Sequence, residues 1–494
     1  MSRSALVAPF AFAFALAPGC VPPPGPCPSA PPTLTTQRLT VDGQLLRDQR
    51  GRQLILRGFN LGGRAKAPPF FPFPFVESGR PEQAKAPPFA VAAQRYAALA
   101  AGLGANVARV PFTWEAVEPT RGRYDDTYLT RYLILVDALG AAGLAVIVDL
   151  HQDAFARPYC GDGFPLWAVS PGAPPIPKPE DCGDWFQGYL KDGPVEREFD
   201  RFWRNDDHLQ DAFVAMWRHV AARAWPHDAV IGFEVMNEPH PGTADAPTWE
   251  RDVLTPFYNR LGGAIREAAP GALIFFDATG LDGAFNTTYL RRPDGEGFVF
   301  APHFYEPGAF LQNRWSGQVD LVARLATWAE LGALWKLPVL IGEFGINQQA
   351  QGAADYLRAN YDALDAHLLA GTLWEISTTV DRWNVEDFTI VGADGALRPA
   401  GAEAVRVQPR AIAGALRRFV YRADRREAEL AYVADGREVS ELWLPERLYP
   451  KDIDLRLTVD GQEVGGCHSR QGGRLRFGVG RSGQLVEARI APAP

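Results

Sequence analysis

The sequence has 494 residues, 47% of them hydrophobic and 22% charged, a balance that belongs to a folded chain and excludes wholesale disorder. Acidic residues outnumber basic ones 58 to 50, and the formal net charge of −8 excludes nucleic acid as a partner held by bulk charge. The length suits one large domain plus a smaller one, and 13 tryptophans, 14 tyrosines and 29 phenylalanines supply rings that serve a core, a sugar or a lipid equally well.

At the amino terminus Arg3 precedes an apolar run from Ala5 to Ala17, too short to span a bilayer and suited to the centre of an export signal. Leu16-Ala-Pro-Gly-Cys20 resembles a lipoprotein box in which Cys20 carries the lipid; ordinary signal cleavage is the competing reading. The Pro-rich Val21 to Pro32 reads as an extended tether, so residues 1–33 stand apart from the fold. A protein secreted or lipid-anchored at the cell surface is expected. Such a chain meets oxidising conditions, and Cys160 and Cys182, flanking a Pro/Gly-rich loop, are the expected disulfide. No H-E-x-x-H or C-x-x-C occurs, so neither a metal nor another cofactor is expected.

Two short runs, Leu39 to Val41 and Leu45 to Arg47, bracket a D-G-Q turn and predict a hairpin that plugs one end of the domain. Lys66 to Phe75 then alternates proline with phenylalanine; it reads either as a buried, wrapped loop or as an apolar wall that meets lipid at the mouth of a site. From here strands and helices alternate. Strands are predicted from Leu54, over Asn106 to Phe112, Leu144 to His151, Val230 to Met236, Ala272 to Asp277, Gly297 to Tyr305, Pro338 to Glu343 and Gly371 to Glu375. Helices are predicted over Val91 to Leu103, Tyr124 to Gly143, Asp207 to Ala224, Pro247 to Ala269, Gln318 to Trp335 and Ala353 to Leu369. A loop-rich insertion, Ala154 to Asp206, is placed where a site's rim is usually built.

Eight β/α units without a Gly-rich phosphate fingerprint argue for a closed (β/α)8 TIM barrel over 34–399. Beyond about Pro399 the helical period gives way to short alternating runs separated by D-G and G-G turns, which predict an antiparallel β-sandwich over 400–494.

Strand ends converge in such a barrel, and they carry Arg109, His151 with Asp153, Asn237 with Glu238, His303 with Tyr305, Glu343 and Trp374, joined by Lys66. Glu238 and Glu343 close the fourth and seventh strands. Two carboxylates facing each other are what glycoside hydrolysis needs, one to protonate the leaving oxygen and one to attack the anomeric carbon. Glu115, Glu234 and Glu375, also near strand ends, read as salt-bridge partners.

N-E-P after the fourth strand and a glutamate closing the seventh resemble the retaining (β/α)8 glycosidases of the cellulase-related clan. R-V-P-F, D-L-H, P-H-F-Y and L-W-E resemble its family 5. Phe112 to Tyr124, Asp149 to Asp153, Cys160 to Ala168 and Gln408 to Gly414 are similar to the endoglycoceramidases, which cut the whole glycan from glycosphingolipids. The resemblance implies Glu238 as acid/base and Glu343 as nucleophile. It implies that Asn237 binds the sugar 2-hydroxyl and that Arg109 and Tyr305 keep Glu343 an aimed carboxylate. His151 and His303 would line the pocket, Asp153 and Lys66 would bond hydroxyls, and Trp374 would lie under the sugar. A glycolipid or oligosaccharide substrate, contact with a membrane surface and a monomer are the partner expectations. A β-glucanase or β-glucosidase of the same family and a non-catalytic carbohydrate-binding protein are the alternatives.

Overall fold

The computed structural model describes residues 39–76, 86–183, 185–189, 193–379, 386–436 and 439–493; the export segment, Cys20 and the tether lie outside the described residues. The chain opens with β1 (Thr40–Asp42), β2 (Leu45–Arg47) and β3 (Gln53–Leu54). Then come β4 (Arg57–Asn60), β5 (Val107–Phe112), β6 (Ala145–Leu150), β7 (Val230–Glu234), β8 (Leu273–Phe276), β9 (Phe298–Phe300), β10 (Leu340–Ile341) and β11 (Ala370–Leu373). These last eight form one parallel sheet, and Phe300 bridges in parallel to Val339 to bring its two edges together. This is a (β/α)8 barrel. Every residue of its strands is buried, because helices cover the outside and side chains fill the inside, so the strands read as continuous apolar runs.

The helices are α1 (Phe89–Gly102), α2 (Trp114–Val117), α3 (Asp126–Ala141), α4 (Pro194–Trp203), α5 (Leu209–Ala224), α6 (Ala246–Trp249), α7 (Thr255–Ala268), α8 (Gly280–Phe285), α9 (Pro307–Gln312), α10 (Leu321–Trp335) and α11 (Ala353–Ala366). Asp125 caps α3 by accepting from the Thr127 and Tyr128 amides, and Asp320 caps α10 through Ala323. The single helix expected over Pro247 to Ala269 is two helices joined by a π-helical turn, Glu250–Leu254. The insertion is more regular than its loop-rich composition suggests. It contains α4, whose buried Val195, Phe199 and Phe202 recur at helical spacing, and it is pinned by a Cys160–Cys182 disulfide with Cα atoms 5.3 Å apart.

Inside the barrel the side chains lie in layers. At the amino-terminal end Leu46 and Leu54, from the hairpin and β3, pack against Val107, Ile147, Ile231, Phe275 and Val299, so the expected plug is present. Above it a polar layer begins with Asn60, Arg109, Asp149 and Glu234, all buried.

The remaining strands are β12 (Gln408–Ile412), β13 (Gly414–Arg422), β14 (Glu427–Ala434), β15 (Ser440–Trp443), β16 (Ile453–Val459), β17 (Gln462–Glu463), β18 (Cys467–Gln471), β19 (Arg474–Gly478) and β20 (Leu485–Pro492). They form two antiparallel sheets around a core that includes Phe419, Leu430, Tyr432, Leu442, Leu475, Phe477 and Ile490. One sheet runs β1-β2-β3-β12-β15-β19-β18. The sandwich therefore takes three strands from the start of the chain, and the units expected at 34–399 and 400–494 share a sheet through Leu54 and Ala411.

Of the two readings of Lys66 to Phe75, the buried, wrapped loop is the one the structure bears out, and the wall offered to a lipid is corrected. Phe71, Phe73 and Phe75 are buried, and their rings lie 4.7, 5.4 and 5.0 Å from that of Phe89. Alternation puts the three rings on one face of an extended segment, and that face closes over α1 and α3.

Candidate active site

Five strands deliver the central charges. Arg109 ends up beneath the floor of the site with each of its nitrogens engaged: Nε and Nη2 on the Glu234 carboxylate at 2.8 Å, Nη1 on Glu343 Oε1 at 2.6 Å and on Asn60 Oδ1 at 2.9 Å, and Nη2 also on Asn237 Oδ1 at 2.8 Å. Tyr305 donates its hydroxyl to the other Glu343 oxygen, at 2.9 Å. Both oxygens of Glu343 are thus held by donors, which fixes the direction in which the carboxylate faces. Glu234 is the salt-bridge partner it was expected to be, and Glu115 likewise pairs with Arg157.

Glu238 stands opposite. Its Oε1 lies 2.8 Å from His303 Nδ1, and its residue is held at φ 36°, a left-handed conformation that a glutamate adopts at a strained turn. Ligand-capable atoms of Glu238, His303 and Glu343 all lie within 4.8 Å of one another. That brings the two carboxylates to the separation of a retaining pair, about 5 Å, rather than the wider gap that admits a water between acid and base. The same three residues are the place among the described residues where a cation could be held, and the Arg109 charge already occupies one side of it.

Burial and the nearby Asp153 charge push Glu238 up to about 7, where a carboxyl can act as an acid near neutrality. Burial lowers His303 to about 3, so it is a neutral imidazole whose Nε2 faces Asp277 Oδ2 at 3.4 Å. Asp277 is itself pushed well up by burial and by Glu238. On the other flank Arg109, Asp149, His151, Asp153 and Lys66 form one chain, through contacts of 3.1, 3.0, 3.4 and 2.5 Å. Burial opposes the His151 imidazolium, but hydrogen bonds to Asp149 and Asp153 outweigh it and raise the ring to about 10.

These groups underlie a cavity of about 480 Å³. Of the expected residues, Lys66, Asp153, Glu238, Tyr305, Glu343 and Trp374 line it. Arg109 and Asn237 lie just behind: Asn237 is spanned by Arg109 and by the Gln152 carbonyl, which accepts from its Nδ2 at 3.0 Å. The two histidines need correction. His151 and His303 were expected to line the pocket, yet both are buried behind the residues that do, His151 stacked on Trp374 at 5.3 Å and His303 against Glu238. Each ring sets its Nδ1 on a carboxylate, His151 on Asp149 and His303 on Glu238, and supports the lining from behind. Lys66 and Asp153 face the cavity as one ion pair, with Lys66 Nζ 4.4 Å from the Trp374 ring centre.

The insertion supplies part of the lining, as its place after a strand predicted, whereas the lining residues of α8 and α9 went unnoticed in the sequence. Trp185, Phe186 and Tyr189 come from the insertion, and Tyr189 stacks on His240 at 5.2 Å; that contact accounts for a histidine two residues beyond the acid, lowered by burial to about 4. Leu281 and Phe285 come from α8 and Phe310 and Leu311 from α9, and they give the mouth an apolar rim. Thr279, which accepts from the Asp282 amide, and Pro307 in the first turn of α9 were start signals for both helices.

With this geometry in place, comparison with known proteins identifies relatives. The model of the cellulase family, glycosyl hydrolase family 5, matches residues 77–379, more than half of the chain. The endoglycoceramidase I of Rhodococcus hoagii is 26% identical over 471 residues, covering 88% of this chain and 84% of its own. The endoglycoceramidase of Cyanea nozakii is 30% identical over 243 residues, 42% of this chain and 47% of its own, so the chain spans about half the length of that relative. Among solved structures, endo-glycoceramidase II from a Rhodococcus species is similar over 91% of this chain and 100% of its own as a lactosyl-enzyme intermediate, with a TM-score of 0.74 and 27% identity. Its complex with ganglioside GM3 gives 0.75 and 25%, over 92% and 100%. A barrel whose fourth and seventh strands end in facing glutamates, matched by that family model over its catalytic span, belongs to glycosyl hydrolase family 5.

Proposed function

We propose that this chain is a retaining endo-β-glycosidase that cuts between the glycan and the ceramide of glycosphingolipids. The observation that carries the reading is the joining of two features in one cavity: an acid and a nucleophile within 4.8 Å at its floor, and an apolar rim from α8 and α9 at its mouth. In the first step Glu343 attacks the anomeric carbon while Glu238 gives its proton to the leaving oxygen. In the second, Glu238 takes a proton from water as that water displaces Glu343 from the sugar, and the anomeric configuration is retained. Trp374 supplies an apolar face for the sugar, and Lys66 and Asp153 supply a donor and an acceptor for its hydroxyls.

A β-glucanase would take sugars on both sides of the scissile bond, and the cavity would then be expected to carry polar groups and stacking rings on the leaving-group side. Leu281, Phe285 and Leu311, exposed at 49, 57 and 65%, instead suit an acyl or sphingoid chain. The endoglycoceramidase relatives support the same reading, as does a neighbour whose solved complexes include ganglioside GM3 and a lactosyl-enzyme intermediate. Action outside the cell, with the chain exported or held at a membrane by lipid on Cys20, is proposed from the amino-terminal sequence alone.

The test is incubation with a mixed glycosphingolipid panel and, in parallel, with cellulose-type chains, followed by mass spectrometry of the products. Intact oligosaccharide together with free ceramide is expected. Hydrolysis of the polysaccharide alone would overturn the reading.

A further inference from the structure

Glu250 is buried and forms no ion pair among the described residues, yet it carries a carboxylate. Its hydrogen-bond donors all come from one stretch of chain. The Thr288 hydroxyl donates to Oε2 at 2.9 Å, the Tyr289 amide donates to the same oxygen, and the Thr279 amide reaches Oε1 at 3.5 Å. A second tie runs alongside: the Thr255 hydroxyl donates to the Glu250 carbonyl at 2.9 Å and accepts from the Arg291 amide at 3.1 Å. Glu250 opens the π-helical turn between α6 and α7, a local widening of the kind that re-aims one side chain.

The tied residues flank α8 on both sides. Between them α8 presents Leu281 and Phe285 to the mouth of the cavity, and Gly280 to the acid itself: a Cβ on Gly280 would fall 2.5 Å from Glu238 Oε2. A helix of six residues with two exposed apolar side chains has little packing of its own to hold it there. Burial first, and then the Asp282 charge on α8, keep the carboxyl as high as about 7. Burying a carboxylate without a cation is unfavourable, and the strap it forms compensates by satisfying three donors at once.

We infer that Glu250 is a positioning residue that latches the 279–289 segment over the site and thereby sets the preference for an apolar leaving group. The inference rests on the proposed lipid aglycone, and its test separates the two. Glu250→Gln and, with the carboxyl intact, Thr288→Val are compared with the wild-type chain by hydrogen exchange and by kinetics. Exchange of the amides within 279–289 is expected to quicken about tenfold in each variant, the loss of one hydrogen bond to a charged group, with the rest of the barrel unchanged. KM for a glycosylceramide in mixed micelles is expected to rise about tenfold while KM for an aryl β-glycoside, which does not reach the rim, moves by less than about twofold. Unchanged exchange at 279–289, or an equal rise for both substrates, would overturn the latch. If the wild-type chain cleaves the aryl glycoside but no glycosylceramide, the lipid reading falls and the exchange measurement still decides whether Glu250 holds the segment.

Discussion

Arg109 Nη1 lies 2.6 Å from Glu343 Oε1, and the same guanidinium forks onto Glu234 and touches Asp149 at 3.1 Å. One cation thus serves three buried carboxylates, which only a planar group with five donors can do. Arg109→Lys keeps the charge and loses the fork. It is expected to cost about 3–5 kcal/mol, because Glu234 or Asp149 is left buried without its partner. It should also lower kcat/KM by about 100-fold, as Glu343 loses its direction. A variant that melts with the wild type and turns over normally would refute this account of the floor.

The two glutamates should fail in different ways. Glu343→Gln removes the nucleophile and is expected to abolish turnover, by about 10⁴-fold or more, with sugar binding still measurable by calorimetry. Glu238→Gln removes a proton donor. Its loss of about 10²–10⁴-fold should appear with a lipid or alkyl leaving group and shrink with a dinitrophenyl leaving group, which departs without a proton. Equal losses on both leaving groups would reassign Glu238.

Glu238 acts as an acid while it is protonated, and its carboxyl is held at about 7 by burial and then by Asp153. The alkaline limb of kcat/KM is therefore expected near pH 7, activity falling as pH rises through it. Asp153→Asn removes a negative charge and frees Lys66 and His151 from their shared partner, and both changes favour the ionised form of Glu238. The limb should move to lower pH. An unmoved limb would show that burial alone sets the acid, and a shift to higher pH would overturn the assigned role of Asp153.

How much of this was legible follows from where the information sits. Strands such as Ala145–Leu150 are covered on both faces, so their apolar runs and the carboxylates that end them stand out along the chain. The pairing of Leu54 with Ala411 joins residues hundreds apart and leaves no local mark, which hid the shared sheet. Helices α8 and α9, of six residues each, are too short to show a helical period, so the rim was sought in the insertion, which does line the cavity, and in the proline-rich loop, whose phenylalanines do not. The side of each strand-end histidine that meets a carboxylate is likewise a property of the closed barrel. His151 and His303 could be found by position but not aimed.

The Cys160–Cys182 bridge closes a sequence separation of 22 residues, and the insertion it pins brings Trp185, Phe186 and Tyr189 to the cavity. A Cys160→Ser, Cys182→Ser double variant is expected to lose about 3 kcal/mol, the chain-entropy value for a loop of this size. Denaturant unfolding measures it. KM should rise more than kcat falls, since Glu238 and Glu343 stand on the barrel and not on the insertion.

Phe71 and Leu311 separate packing from substrate contact. Phe71 is buried with its ring 4.7 Å from Phe89 and 5.4 Å from Tyr128, whereas Leu311 lines the cavity mouth and is 65% exposed. Phe71→Ala empties a core site and should destabilise the chain by about 3–5 kcal/mol, with the surviving folded enzyme as selective as before. Leu311→Ser removes no core contact, so its melting temperature should stay near the wild-type value. Its expected defect is confined to substrates with a long apolar leaving group and is read as a higher KM for glycosylceramide against an unchanged aryl glycoside. If Phe71→Ala instead left stability intact and spoiled the lipid substrate, the proline-rich loop would be the lipid wall after all and the rim of α8 and α9 would lose that role.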